Sequence, residues 1–147
     1  MKNALNFNSR IVGGSEAESP IPWQVTVSNC GGTILDEYTI LSAAHCTAYR
    51  NDLVQTGEPG VPADPPTQSM RVKEVIRHPK YNNKTNEFDY SILKLREPIT
   101  FNKYAKPACL PKSANFYIGH SALASGFGKE KHRKFVLDIF DNSKFSI

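Results

Sequence analysis

The sequence predicts an all-β protein, an antiparallel barrel or sandwich, and three observations carry that prediction. Apolar and polar residues alternate over short segments, turn residues recur between those segments, and helical periodicity is scarce. Residues 23–28 (Trp23-Gln24-Val25-Thr26-Val27-Ser28) alternate as a half-buried strand does. Residues 31–35 follow after a turn, then 38–42, 53–56, 70–76 and 90–95, which makes about six short strands at barrel-like or sandwich-like spacing. Between the fourth and fifth lies Gly57-Glu58-Pro59-Gly60-Val61-Pro62-Ala63-Asp64-Pro65-Pro66. Proline donates nothing to a ladder, so this stretch reads as a surface loop. Residues 98–122 read as irregular, and Ala122-Leu123-Ala124 opens one more strand before Ser125-Gly126-Phe127-Gly128.

Length and composition set wider bounds. A chain of 147 residues fits one domain with a serviceable core, and 39% hydrophobic with 22% charged residues is ordinary for a globular protein. No apolar run approaches a membrane span. The formal net charge of +4 is scattered, apart from Lys129, Lys131, Arg133 and Lys134, so a mildly basic surface is expected rather than a nucleic-acid face. The first ten residues hold no apolar stretch of about 7–15 residues, as a secretory signal would require, so no signal peptide is expected here. Three cysteines, Cys30, Cys46 and Cys109, leave one thiol without an intramolecular partner if the others pair. On the count alone, a reduced cytosolic protein and an oxidised but incomplete one both stand.

Histidines occur at 45, 78, 120 and 132. His45 differs from the others in its setting, Leu41-Ser42-Ala43-Ala44-His45-Cys46, where small residues permit tight packing and Cys46 offers a staple to Cys30. A general base must be held within hydrogen-bond reach of its proton, and a staple serves that end. The competing reading of Cys30, His45 and Cys46 is a zinc site, but the usual closely spaced ligand pair and a fourth ligand are both wanting. Asp89 stands at the mouth of the apolar strand Tyr90-Ser91-Ile92-Leu93-Lys94-Leu95, where a carboxylate is costly unless paired or hydrogen-bonded. On spacing alone it reads as a strand-capping turn residue.

The ordered set Ile11-Val12-Gly13-Gly14, Pro22-Trp23, Cys30-Gly31-Gly32-Thr33, Leu41-Ser42-Ala43-Ala44-His45-Cys46, Asp89-Tyr90-Ser91-Ile92-Leu93-Lys94-Leu95, Ala108-Cys109-Leu110-Pro111 and Ser125-Gly126-Phe127-Gly128 resembles the trypsin/chymotrypsin family of serine endopeptidases. The resemblance implies an antiparallel Greek-key β-barrel of the chymotrypsin-like fold, the first barrel complete and the second only begun. It implies that His45 is the general base and later the general acid, with Asp89 behind it to hold the imidazole's tautomer. It implies a Cys30–Cys46 disulfide and hence an oxidising, extracellular compartment. Arg10-Ile11 matches the zymogen activation bond, so residues 1–10 are expected to be an activation-peptide remnant and 11–128 the protease domain. Protein or peptide substrates and inhibitors are the partners implied. No cofactor, nucleic acid or membrane is expected.

The pattern also breaks. The family's nucleophile lies in a Gly-Asp-Ser-Gly-Gly loop, and no such string occurs in these 147 residues. Gly119-His120-Ser121 is the nearest imitation, but Ala122 and Leu123 follow where an elbow needs its last glycine. The expectation is a domain truncated before the serine and inactive as it stands; the alternative is a non-catalytic protease homologue that binds proteins. After Gly128 the motif resemblance stops, and 129–147 reads as a divergent tail, with Phe135-Val136-Leu137-Asp138-Ile139-Phe140 either foreign to the family or part of a membrane- or polyanion-binding end. Pro65 and Gln68 stand where calcium-binding relatives place carboxylates, so no metal is expected beside Glu58. Cys109 matches a cysteine whose usual partner lies upstream of the activation bond, and residues 1–10 hold none.

Overall fold

The computed structural model describes residues 20–28, 30–46, 48–57, 67–111, 121–126 and 135–141. Every regular element among them is a strand: β1 (Gln24–Val27), β2 (Cys30–Asp36), β3 (Thr39–Ser42), β4 (Leu53–Thr56), β5 (Ser69–Arg77), β6 (Ser91–Leu95), β7 (Ser121–Gly126) and β8 (Phe135–Asp141). The six strands expected from alternation are β1–β6, with ends shifted by no more than a residue. The barrel-or-sandwich alternative resolves to a closed barrel in the order β1-β2-β3-β6-β5-β4. Every pairing is antiparallel, and β1 closes on β4 through Val25↔Thr56 and Val27↔Val54. Three hairpin-linked strands followed by a fourth that returns beside the first is the Greek-key path.

Period-two patterning fills the interior. Val25 and Val27 from β1, Ile34 from β2, Ile40 from β3, Val54 from β4, Met70 and Val72 from β5, and Leu93 and Leu95 from β6 form one buried cluster, joined by Ala48, Ile99 and Ala105. Burying a side chain of the Val, Leu or Ile class contributes about 1.5–3 kcal/mol. Gly32 belongs to the same layer, because a Cβ there would lie 2.7 Å from Ile40 Cγ2 and 3.0 Å from Val25 Cγ2. Register shifts at Ile34/Asp36 and Val72/Glu74 bend β2 and β5.

Residues 98–111 carry no strand, as expected, only the bridge Asn102↔Ala105. They are tied down by single bonds, Lys106 N–H to Pro22 O at 3.0 Å and Ala108 N–H to Ile34 O at 2.9 Å. Gln68 serves as a substitute strand edge: its Nε2 donates to Thr100 O, and its Oε1 accepts from Thr100 N–H, both at 2.8 Å. Its amide is thereby committed to the fold.

β7 and β8 form a separate two-stranded antiparallel sheet, from Ser121↔Asp141 to Gly126↔Phe135. The strand opened at 122–124 is therefore longer than expected, and the apolar run 135–140, set apart above as tail, pairs with it. Aromatic and β-branched residues (Phe135, Val136, Ile139, Phe140) favour the extended conformation found there.

Candidate active site

β3 and β6 lie side by side in the register Ser42↔Ser91. Continued past both strand ends, that register sets Ala44 opposite Asp89, so the residue after Ala44 reaches the carboxylate. Two serine hydroxyls fix this corner. Ser42 Oγ donates to Gly31 O at 2.9 Å, and Ser91 Oγ donates to Ala43 O at 3.0 Å. The turn closes with Cys46 N–H on Ala43 O at 3.3 Å, and Ala44 is buried beneath it. Cys30, the first residue of β2, is joined to Cys46 by a disulfide with a Cα–Cα distance of 5.9 Å. The sulfurs of the alternative zinc trio, Cys30, His45 and Cys46, are thus bonded to each other, whereas zinc takes thiolates.

His45 and Asp89, 44 residues apart in sequence, meet twice. The ring Nδ1 lies 2.6 Å from Asp89 Oδ2, and the His45 backbone N–H donates to Asp89 Oδ1 at 2.8 Å. An ionised carboxylate only accepts, so the proton between them belongs on Nδ1, and in the neutral ring Nε2 is the nitrogen that carries the lone pair. Nε2 stands 3.6 Å from Cys46 Sγ, a disulfide sulfur with no proton to donate to it. The histidine side chain is 57% exposed and the aspartate 22%, which leaves the ring reachable while its carboxylate partner is mostly covered. The His45 ring donor holds the Asp89 carboxyl below its ordinary pKa, helped by the His45 backbone N–H, and partial burial opposes this less strongly.

The residues flanking Asp89 were not apparent as functional in the sequence. Phe88 has φ 53° and Asn86 φ 56°, left-handed values uncommon for such residues. The His78 ring stacks on Phe88 with centroids 4.9 Å apart and tilts against Tyr90 at 4.6 Å, and the His78 backbone N–H donates to Tyr90 O at 3.1 Å. Nδ1 of His78 accepts from Lys80 N–H at 3.3 Å. An aromatic on each side of Asp89, with a His-Pro turn upstream, is the sequence signal for this clamp. Beside it opens a cleft of about 370 Å³ lined by Trp23, Gln24, Leu41, Asp89, Tyr90 and Ser125, among others.

Of the remaining expected site residues, Arg10 and Ile11 lie outside the described residues, as do Glu58, Pro65, Gly119, His120 and the basic run from Lys129 to Lys134. Ser121 opens β7. Cys109 is an exposed free thiol.

A histidine held by a carboxylate, at one rim of an antiparallel barrel, is an arrangement chemically able to take up and return a proton. Comparison with known proteins makes the assignment specific. The Trypsin family model matches residues 11–144. The chain is 35% identical over 138 residues to trypsin 5G1 of Aedes aegypti, covering 88% of this chain and 52% of that protein. It is 33% identical over 141 residues to ovochymase-2 of Mus musculus (87% and 23%) and to transmembrane protease serine 9 of Rattus norvegicus (85% and 13%). The chain therefore belongs to the Trypsin family. The match continues past Gly128, where the motifs end, and takes in β8. The chain spans about half the length of the mosquito trypsin and less than a quarter of the other two relatives.

Proposed function

We propose that this chain supplies the general base His45 and its orienting carboxylate Asp89 to a serine endopeptidase that hydrolyses protein or peptide substrates. The observation that carries the reading is the double contact between His45 and Asp89, through ring and backbone, at 2.6 and 2.8 Å. In this reading Nε2 takes the proton of a serine hydroxyl as it attacks the scissile carbonyl, then returns it to the leaving amine, while Asp89 stabilises the imidazolium. Cleavage at Arg10-Ile11 activates the enzyme by freeing the Ile11 amine. The Cys30–Cys46 disulfide and relatives named as a trypsin and a transmembrane protease support passage through a secretory compartment.

These 147 residues contain no Gly-Asp-Ser-Gly-Gly string, so in this reading the serine is supplied from outside them. The chain by itself is expected to be inactive: a base with no hydroxyl to deprotonate has no catalytic step to assist. Purified 147-residue protein should remain unlabelled by a fluorophosphonate probe and should not cleave peptide esters. Labelling of one of its own serines, with activity lost on replacing that serine, would overturn the assignment. Coding sequence downstream of the segment separates the two family roles. A serine in the glycine-rich loop supports the enzyme, and a glycine in its place supports a non-catalytic protease homologue that binds proteins.

A further inference from the structure

The loop that leads into Asp89 holds Asn83-Lys84-Thr85, the one Asn-x-Ser/Thr sequence in the chain. Its neighbours hold the loop in shape. Asn82 N–H donates to Glu87 O at 3.1 Å, and Asn86 N–H to Asn82 O at 2.8 Å. Asn82 Oδ1 accepts from Lys84 N–H at 3.0 Å, and Thr85 Oγ1 donates to Glu87 Oε2 at 2.8 Å. Asn83 sits at the tip, exposed like every residue from 82 to 88, and among the described residues nothing hydrogen-bonds to its side-chain amide. A substituent on that amide displaces no contact of the fold. Next to it stands Lys84, also exposed, in the kind of loop tip where proteolytic nicking concentrates.

We propose that Asn83 carries an N-linked glycan, and that this glycan shields the Lys84–Thr85 bond of the Asp89 loop from proteases that cut after basic residues. The proposal rests on the secretory passage inferred above. The donor is an oligosaccharide on a polyisoprenoid diphosphate. The Asn83 Nδ2–C1 bond forms as the bond from C1 to the diphosphate oxygen breaks. The lipid diphosphate leaves with the bonding pair, and the amide nitrogen gives up one proton to the transferase's base. The acceptor is read on the nascent chain, and the folded loop then keeps the sugar in solvent.

The chain, directed into the secretory pathway of an insect or mammalian host by a heterologous leader, tests this independently of its natural route. The expected result is a peptide bearing glycan at Asn83, with a gel shift reversed by peptide N-glycosidase. The shift should be lost in Asn83→Gln and Thr85→Val and kept in Thr85→Ser. Added trypsin should cut after Lys84 in Asn83→Gln, and that product should be lost in the glycosylated protein. Unmodified Asn83 in secreted material whose Cys30–Cys46 bond has formed would overturn the proposal and leave the endopeptidase reading intact. Equal cutting after Lys84 with and without the glycan would overturn the shielding. Free thiols at Cys30 and Cys46 in secreted material would instead count against the secretory reading, and the proposal would fall with it.

Discussion

Two donors from one residue, the ring Nδ1–H and the backbone N–H of His45, converge on the Asp89 carboxylate, and both lose their charged acceptor when a proton arrives there. The sign of the pH effect follows. Because the Asp89 pKa is depressed in the folded chain, the pair's contribution to stability is fully present above the ordinary carboxylate range of about pH 4. It is lost as pH falls through the lowered value. His45→Ala removes the larger donor and keeps the backbone N–H, so the Asp89 carboxyl should titrate at higher pH than in the parent. Carbon-detected NMR of the carboxyl group measures this, and an unmoved titration would mean that the ring does not hold the charge. The pair was legible only through the order of motifs. Alone, Asp89 reads as a turn residue, and no local pattern links it to a histidine 44 positions away. The clamp of His78, Phe88 and Tyr90 leaves only a faint sequence signal, the aromatics either side of Asp89 and the His-Pro turn, because it depends on a positive φ at Phe88 and on stacking across a loop. The tie from Gln68 to the Thr100 backbone was hidden for a similar reason, since it joins residues 32 apart through one side chain.

At the scale of elements, β2 is constrained at two points close together. Its start is stapled to the His45 turn, and two residues on it has no room for a side chain. Gly32→Ala places a Cβ against Ile40, Val25 and the Leu41 carbonyl, while at Gly31 the nearest neighbour among the described residues is Gln24 Nε2 at 4.0 Å. Overpacking of this kind costs about 1–3 kcal/mol, so the urea midpoint should fall for Gly32→Ala and hardly move for Gly31→Ala. Equal midpoints would show that Ile40 and Val25 yield without cost. The Cys30–Cys46 bond spans a sequence separation of 16, for which chain entropy in the unfolded state gives about 3 kcal/mol. The double replacement Cys30→Ala/Cys46→Ala should lower stability by that order and broaden the His45 resonances as the turn loosens. Unchanged stability would mean that hydrogen bonds from Ser42 and Ser91 position the base unaided. β1–β6 were legible because one face of each meets a shared interior, which imposes alternation. β8 was not, since a basic run precedes it and its apolar residues, 135–137 and 139–140, do not alternate with polar ones.

For the whole molecule, the apolar surface left outside the barrel decides its behaviour in solution. Trp23 and Tyr90 are 43% and 46% exposed and line the same cleft beside Asp89, and Phe88, at 48%, stands next to it in the chain. Large aromatics bury 150–250 Å² each, so leaving several of them half in water on one face forgoes a substantial part of the available stabilisation. A contiguous apolar patch of more than a few hundred Å² is rare on a soluble monomer and marks a contact surface. The 147-residue chain, expressed by itself, should therefore self-associate in the micromolar range and bind a hydrophobic dye. Light scattering coupled to size exclusion, run over a range of loading concentrations, measures the first. Replacing Trp23 and Tyr90 together by serine should shift the distribution toward monomer without opening the barrel, because neither side chain belongs to the buried cluster. A monomeric parent with a single sharp thermal transition would sink the prediction, since it would show that the barrel tolerates this face in water. Association that persists in the double variant would place the contact elsewhere on the molecule.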